Sequence, residues 1–249
     1  ATFDVASMAK TSTKVFVLEV MGRHAGWIAA AGAMASSKEM DLPIVILFPE
    51  IAFDKAKFLA KVGAMVKKYG YCTVVVSEGV KGADGKFLSD QGLRDAFGHA
   101  QLGGVAPVIA SIVKEGLNLK YHWGVADYLQ RAARHIASKT DVAQAYATGK
   151  AAVELAIKGR NSVMPAIKRV SDKPYKWKIE VAELKNVANK EKFMPRDFIT
   201  ADGFGITEKC RKYLAPLMLG EDYPPYKNGL PRYVRLKNVG VKKKLGEFK

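Results

Sequence analysis

An α/β fold, a three-layer, doubly wound and mostly parallel sheet with a helical and looped C-terminal extension, is predicted by three features of this 249-residue sequence. Short apolar runs rich in β-branched residues recur at residues 15–20 (Val-Phe-Val-Leu-Glu-Val), 43–48 (Pro-Ile-Val-Ile-Leu-Phe) and 72–76 (Cys-Thr-Val-Val-Val). Strands this apolar need cover on both faces, which is the situation of a parallel sheet. Two helix-like stretches separate the three runs, giving the order strand, helix, strand, helix, strand. After Gly159 the pattern changes, and from Met164 to the end Pro, Lys and isolated aromatics dominate.

Taken in order, the first run ends at Met21-Gly22-Arg23, and residues 25–37 follow as an alanine-rich helix. Between residues 54 and 69, Phe58, Leu59, Val62, Met65 and Val66 recur at helical spacing behind Asp54, a suitable N-cap. The third run ends at Ser77-Glu78-Gly79, and Gly82-Ala83-Asp84-Gly85 reads as a turn. The stretch Phe97-Gly98-His99-Ala100-Gln101-Leu102-Gly103-Gly104 leads into a helix at about residues 105–115. Residues 121–125 form a fourth strand ending at Asp127-Tyr128-Leu129-Gln130-Arg131, and a long helix covers residues 141–158 with Asp141 as its cap. Residues 1–160 are thus expected to form the α/β domain and residues 161–249 an extension that packs back on it.

The formal charge of +16 favours anionic partners such as phosphorylated metabolites or diphosphate. Neither an aromatic-and-glycine RNA-binding signature nor zinc-finger spacing is present, the Lys242-Lys243-Lys244 run reads as a solvated tail, and no nucleic-acid partner is expected. No apolar run approaches the roughly 20 residues that span a bilayer, so no membrane partner is expected either. The two cysteines, Cys72 and Cys210, have no metal-ligand spacing, and Cys72 reads as a small buried hydrophobe. With no signal peptide visible, the expected location is cytoplasmic.

In open parallel sheets ligands sit outside the carboxyl ends of the strands, where Met21-Gly22-Arg23 and Ser77-Glu78-Gly79 both fall. The Arg23 guanidinium suits a phosphate or a row of hydroxyls, or else a local carboxylate. Glu78 is acceptor-only when ionised and suits sugar hydroxyls, or else a neighbouring lysine. Tyr128, Gln130 and Arg131, with Lys120 upstream, offer a phenol, an amide and two cations to a phosphate. The four histidines, His24, His99, His122 and His135, have no partner carboxylate at a diagnostic spacing. There is no P-loop, no Gly-x-Gly-x-x-Gly opening a helix, no Gly-x-Ser-x-Gly elbow and no His-Glu-x-x-His. These residues describe a binding face without an evident catalytic base.

The stretch Glu19-Val20-Met21-Gly22-Arg23-His24-Ala25-Gly26-Trp27 resembles the Met-Gly-Arg signature of the phosphofructokinase family. Ser77-Glu78-Gly79, Phe97-Gly98-His99, Tyr128-Leu129-Gln130-Arg131, Asp141 and Gly149 follow in that family's order and spacing, over about residues 1–160. Asp127 stands where the family commonly carries glycine. The resemblance implies a fructose 6-phosphate pocket lined by Met21, Gly22 and Arg23, with Arg23 near the sugar and its acceptor oxygen. It implies that Glu78 accepts from sugar hydroxyls, and that Tyr128 and Arg131, flanking Leu129 and Gln130, hold the 6-phosphate. Basic residues of a neighbouring subunit complete such a site, so a homodimer or homotetramer is implied; Lys14 matches one by offset, and Lys120 is the second candidate with His122 as its rival.

The family's donor-binding glycine-rich segment and its Thr-Ile-Asp-x-Asp motif, which supplies the catalytic aspartate, lie upstream of the Met-Gly-Arg element. Ala1 begins only twenty residues before Met21. The chain is therefore expected to correspond to the C-terminal portion of the enzyme, with no catalytic residue of its own and Mg²⁺ held mainly through the donor domain and donor phosphates. The donor is diphosphate or ATP, and the Phe97–Gly104 stretch with the long extension points to diphosphate-dependent bacterial members. The alternative is a non-catalytic sugar-phosphate-binding subunit or a degenerate paralogue.

Overall fold

The computed structural model describes residues 1–90 and 104–242. Four strands, β1 (Val15–Val20), β2 (Ile44–Leu47), β3 (Cys72–Ser77) and β4 (Tyr121–Val125), form a sheet of order β2-β3-β1-β4. Every neighbouring pair is parallel. β3 is buried along its whole length, as an unbroken apolar run in a central strand requires. The register sets Val20 beside Ser77 and Glu19 beside Val125, so β1, β3 and β4 finish level with one another. Their three following loops therefore leave from one edge.

Side chains alternate between two cores. On one face Val15, Val17, Val45, Val74 and Val76 meet Phe58 and Val62 of helix α3 (Lys55–Tyr69) and Ile109 and Val113 of helix α4 (Val105–Leu117). On the other, Val20, Ile46, Phe48 and Val75 meet Ala29 and Ala30 of helix α2 (Trp27–Gly32). That second core is completed from the extension by Met194, Phe198, Ile199, Ile206, Cys210 and Leu214. Small side chains on α2 allow a close approach to the sheet; a Cβ at Gly32 would already lie 3.0 Å from Val75 Cγ2. Burial pushes the Cys72 thiol up to about 12, as befits a cysteine used as a hydrophobe.

Several elements differ from the sequence expectation. The helix expected over residues 25–37 closes after Gly32 into a tight turn at Ala33–Ala35. There Ser36 Oγ accepts from the Leu42 N–H and Ser37 Oγ from the Met40 N–H, serving the loop instead of a further helical turn. Arg211 donates to the Ala33 and Ser36 carbonyls from helix α7 (Glu208–Leu214). A short helix, α1 (Val5–Thr11), precedes β1 with only Ala9 buried, too little apolar surface to announce itself. Asp54 does cap α3, accepting from the Lys57 N–H at 3.0 Å. The cap of the long helix α6 (Lys139–Ile157) is Ser138, whose Oγ accepts from the Asp141 N–H at 3.1 Å, and Asp141 occupies the first turn.

The extension opens with an antiparallel hairpin, β5 (Val163–Asp172) and β6 (Tyr175–Glu183), that the sequence pattern did not distinguish from loop. In β6 charged residues alternate with apolar ones, giving the period of two without an apolar run, and the apolar start of β5 is interrupted by Pro165. The hairpin packs on α6, with Gln144 donating to the Tyr175 hydroxyl at 2.6 Å. Among the described residues no helix is long and apolar enough to cross a membrane. The Phe97-Gly98-His99 motif lies outside the described residues.

Asp202 ties the extension to α3. Partial burial works against its charge, but Lys61 at 2.7 Å, the Thr200 hydroxyl and the Phe204 N–H outweigh it and hold the carboxyl at about 2 against an ordinary 3.8. A depressed carboxylate contributes stability that is complete above 3.8 and lost as pH falls through about 2. Asp202→Asn is expected to cost about 1 kcal/mol at neutral pH once solvent screening of this half-exposed pair is allowed for. Urea midpoints of variant and wild type should converge across that acid window.

Candidate functional site

Everything at the carboxyl edge is organised around the turn after β1. Gly22 has φ +148°, a conformation that suits glycine, and a Cβ there would lie 2.5 Å from Ser77 Oγ and 2.7 Å from the Ala25 carbonyl oxygen. With no side chain in the way, Ser77 donates its hydroxyl proton to the Gly22 carbonyl at 2.6 Å. The Gly22 N–H donates to Glu78 Oε1 at 3.2 Å, and the Glu78 and Gly79 N–H groups donate to the Val20 and Gly22 carbonyls. The ends of β1 and β3 are thereby stitched into one double turn. Glu78 is held by backbone, with no lysine on its carboxylate among the described residues.

The third strand end joins through Gln130. Its Oε1 accepts from the Met21 N–H at 3.3 Å, and its Nε2 donates to the Asp127 carbonyl at 2.9 Å. Asp127 adopts φ +41°, the left-handed conformation in which glycine is commonest and which Asp and Asn tolerate better than most. The loop geometry thus survives the replacement of glycine. Tyr128, Leu129 and Arg131 project from helix α5 (Leu129–Ala132) and its cap as exposed side chains, with the Arg131 guanidinium 5.6 Å from the Tyr128 ring centre.

Gln130 therefore meets Met21 and Glu78 meets Gly22, and Arg23 follows Gly22 with its backbone pressed against Gly79. Among the described residues the Arg23 guanidinium makes no hydrogen bond or ion pair, so the local carboxylate considered for it does not take it. A cavity of about 260 Å³ lies between Met21, Glu78, Gly104, Val125 and Asp127. Arg131, one residue beyond Gln130, lines a neighbouring recess of about 630 Å³ with Arg134, Asp141 and Tyr146.

Lys14 and Lys120 are placed elsewhere. Both precede their strands, and the Lys14 N–H donates to the Lys120 carbonyl at 3.0 Å. They sit together at the amino edge of the sheet, about 20 Å from the turn at Gly22 for a six-residue strand. His122, beside Phe16 in the register, is on the first half of β4 as well.

Glu19, the first residue of the Met-Gly-Arg stretch, is nearly fully buried, at 2% exposure, against the same cavity. It accepts from the Gly104 N–H at 3.0 Å and the Ala106 N–H at 2.8 Å, fixing the start of α4. Burial pushes its carboxyl above the ordinary range, the Ala106 and Gly104 N–H groups pull it back, and the charge of Glu78 adds to the rise. The signal was available: a lone carboxylate in an otherwise apolar strand must find buried donors. Glu50 carries no such signal. It follows β2 and accepts from the Gly26 N–H, a contact with no local sequence signature.

A family model described as Phosphofructokinase matches residues 1–156. The chain is 65% identical over 249 residues to the pyrophosphate--fructose 6-phosphate 1-phosphotransferase of Halomonas elongata, covering 100% of this chain and 59% of that protein. It is 67% identical over 245 residues to the protein of the same name from Methylococcus capsulatus, covering 98% of this chain and 58% of that one. Among solved structures, the pyrophosphate-dependent phosphofructokinase of Nitrosospira multiformis matches with a TM-score of 0.86 and 71% identity, over 100% of this chain and 59% of that one. The chain thus spans less than two thirds of the length of these relatives.

Proposed function

This chain belongs to the phosphofructokinase family, and within that family we propose that it supplies the fructose 6-phosphate site of a diphosphate-dependent 6-phosphofructokinase. The observation that carries this reading is the junction of Gly22 with Glu78, which leaves Glu78 Oε2 and the Arg23 guanidinium at one sheet edge without a hydrogen-bond or ion-pair partner among the described residues. Glu78 Oε1 is engaged by backbone, so Oε2 is available to sugar hydroxyls, which donate. Arg23 is available to the oxygen that accepts the phosphoryl group, where negative charge must be tolerated. Tyr128 and Arg131, exposed one loop away, suit the 6-phosphate, with Leu129 and Gln130 setting their position.

Phosphoryl transfer is chiefly positioning and charge neutralisation, and the residues above position the acceptor. Among the described residues no group of three or more His, Cys, Asp or Glu could cage a metal ion. In the proposed enzyme a Mg²⁺ ion, which needs only one or two carboxylates beside phosphate oxygens, would travel mainly with the donor phosphates. Residues 1–160 would carry the sugar-phosphate site, and residues 161–249 would brace it. Lys14 and Lys120, at the amino edge, would serve the phosphate site of a neighbouring copy, which is the arrangement a homodimer or homotetramer needs.

The test uses the full-length polypeptide containing this chain, supplied with fructose 6-phosphate, Mg²⁺ and either diphosphate or ATP. The expected products with diphosphate are fructose 1,6-bisphosphate and orthophosphate, followed by ³¹P NMR, with ATP far slower. Turnover with ATP alone would overturn the choice of donor. No turnover with either would overturn the enzymatic reading.

A further inference from the structure

The loop carrying Arg23 is gripped from its far side as firmly as from the sheet. Glu50, three residues past β2, turns both carboxylate oxygens to the Gly26 N–H, at 3.0 and 3.2 Å. Its Oε1 also accepts the Met194 N–H at 3.0 Å, from a segment 144 residues away in sequence. Alongside, His24 Nδ1 meets Glu191 Oε1, and the Trp27 indole N–H donates to the Lys192 carbonyl at 2.8 Å. Residues 191–194 therefore lie as a strap across residues 24–27, with Glu50 anchoring both. The fit is close: a Cβ at Gly26 would come 2.8 Å from Phe48 Cδ1 and 3.1 Å from Glu50 Oε2.

We propose that Glu50 is a positioning residue for fructose 6-phosphate, holding the Gly26 end of the Arg23 loop and the 191–194 strap in one place. This rests on the reading of Arg23 and Glu78 as the sugar site. Arg23 lies between two sets of anchors, Ser77, Glu78, Gly79 and Gln130 on one side and Glu50 with the strap on the other. Its backbone is fixed while its guanidinium has no hydrogen-bond or ion-pair partner among the described residues. An ionised carboxylate can satisfy two backbone donors on one side chain because it has only acceptors. An amide can keep its oxygen where Oε1 accepts both N–H groups, but it sets an NH₂ against the Gly26 N–H in place of Oε2 and removes the charge that strengthens both bonds, so the grip on the loop weakens. Displacements of about 1 Å in a reacting group are enough to cost on the order of 100-fold in rate.

The experiment compares Glu50→Gln and Trp27→Phe with wild type in the full-length polypeptide, reading kcat, both KM values and Tm. Glu50→Gln is expected to raise the KM for fructose 6-phosphate about tenfold, with the diphosphate KM within about twofold of wild type. Trp27→Phe, which removes the donor to Lys192 and trims the ring packed on Phe198 and Tyr213, is expected to raise the same KM about threefold with the same selectivity. An active Glu50→Gln enzyme with unchanged KM for fructose 6-phosphate overturns the proposal, as does an equal rise in both KM values. Should Glu50→Gln fail to give a cooperative melt, Trp27→Phe decides by the same criterion. A wild type that does not turn over fructose 6-phosphate overturns the site reading itself, a result distinct from either variant's.

Discussion

Gly79→Ala is expected to lower kcat/KM for fructose 6-phosphate by at least about 100-fold in the full-length polypeptide, from loop displacement alone. A Cβ at Gly79 would lie 1.8 Å from the Arg23 carbonyl oxygen, 2.3 Å from its carbon and 2.6 Å from the Gly22 carbonyl oxygen. All three are backbone atoms, so no rotamer relieves the overlap. The turns after β1 and β3 must part, taking with them the Gly79-to-Gly22 bond at 3.2 Å and the Gly22-to-Glu78 bond. Overpacking of this kind costs about 1–3 kcal/mol of stability as well. Gly63→Ala is the matched control: its Cβ would meet only Leu117 Cδ2 at 3.7 Å, inside α3. It is expected to leave the kinetics alone and raise stability by up to about 1 kcal/mol through helix propensity. A Gly79→Ala enzyme within threefold of wild type would refute the double turn as the frame of the site.

Arg23→Ala should separate binding from stability. Because its guanidinium makes no hydrogen bond or ion pair with a described residue, truncation breaks none of these, and stability is expected to change by no more than about 0.5 kcal/mol. The affinity for fructose 6-phosphate, in contrast, should fall by about 10- to 100-fold, the size of a lost charge-assisted hydrogen bond to an anionic or hydroxyl-rich ligand. Arg23→Lys is expected to recover little, since a point charge does not reproduce a planar fork of donors. Calorimetric titration with fructose 6-phosphate reads the first effect and thermal melting the second. Unchanged affinity in Arg23→Ala would remove Arg23 from the site.

The positions of β1, β2 and β3 were legible because β-branched apolar runs mark them, whereas β4 has only Val125 of that kind and the level of the strand ends came from the register. The glycines at 22 and 79 were legible as interruptions where those runs end. The hairpin at β5 and β6 was not, because Pro165 breaks the apolar start of β5 and charged residues alternate with apolar ones in β6. Asp141 was legible as an acidic residue at a helix start, yet whether it or Ser138 caps α6 depends on which hydroxyl reaches which N–H. Phe97-Gly98-His99 stays a sequence observation, as it lies outside the described residues.

Local order along the chain determined what each loop carries: Met21, Gly22 and Arg23 after one strand, Glu78 after another, Tyr128, Leu129, Gln130 and Arg131 after a third. Only tertiary structure decided who meets whom. Gln130 reaches Met21 across 109 residues, and Glu50 reaches Met194 across 144, while Lys14 and Lys120 go to the opposite edge. The physical reason is one of range. Strand and helix periods arise from steric preferences a few residues long, whereas a carboxylate selects its donors by where a distant segment returns to bury its apolar side chains.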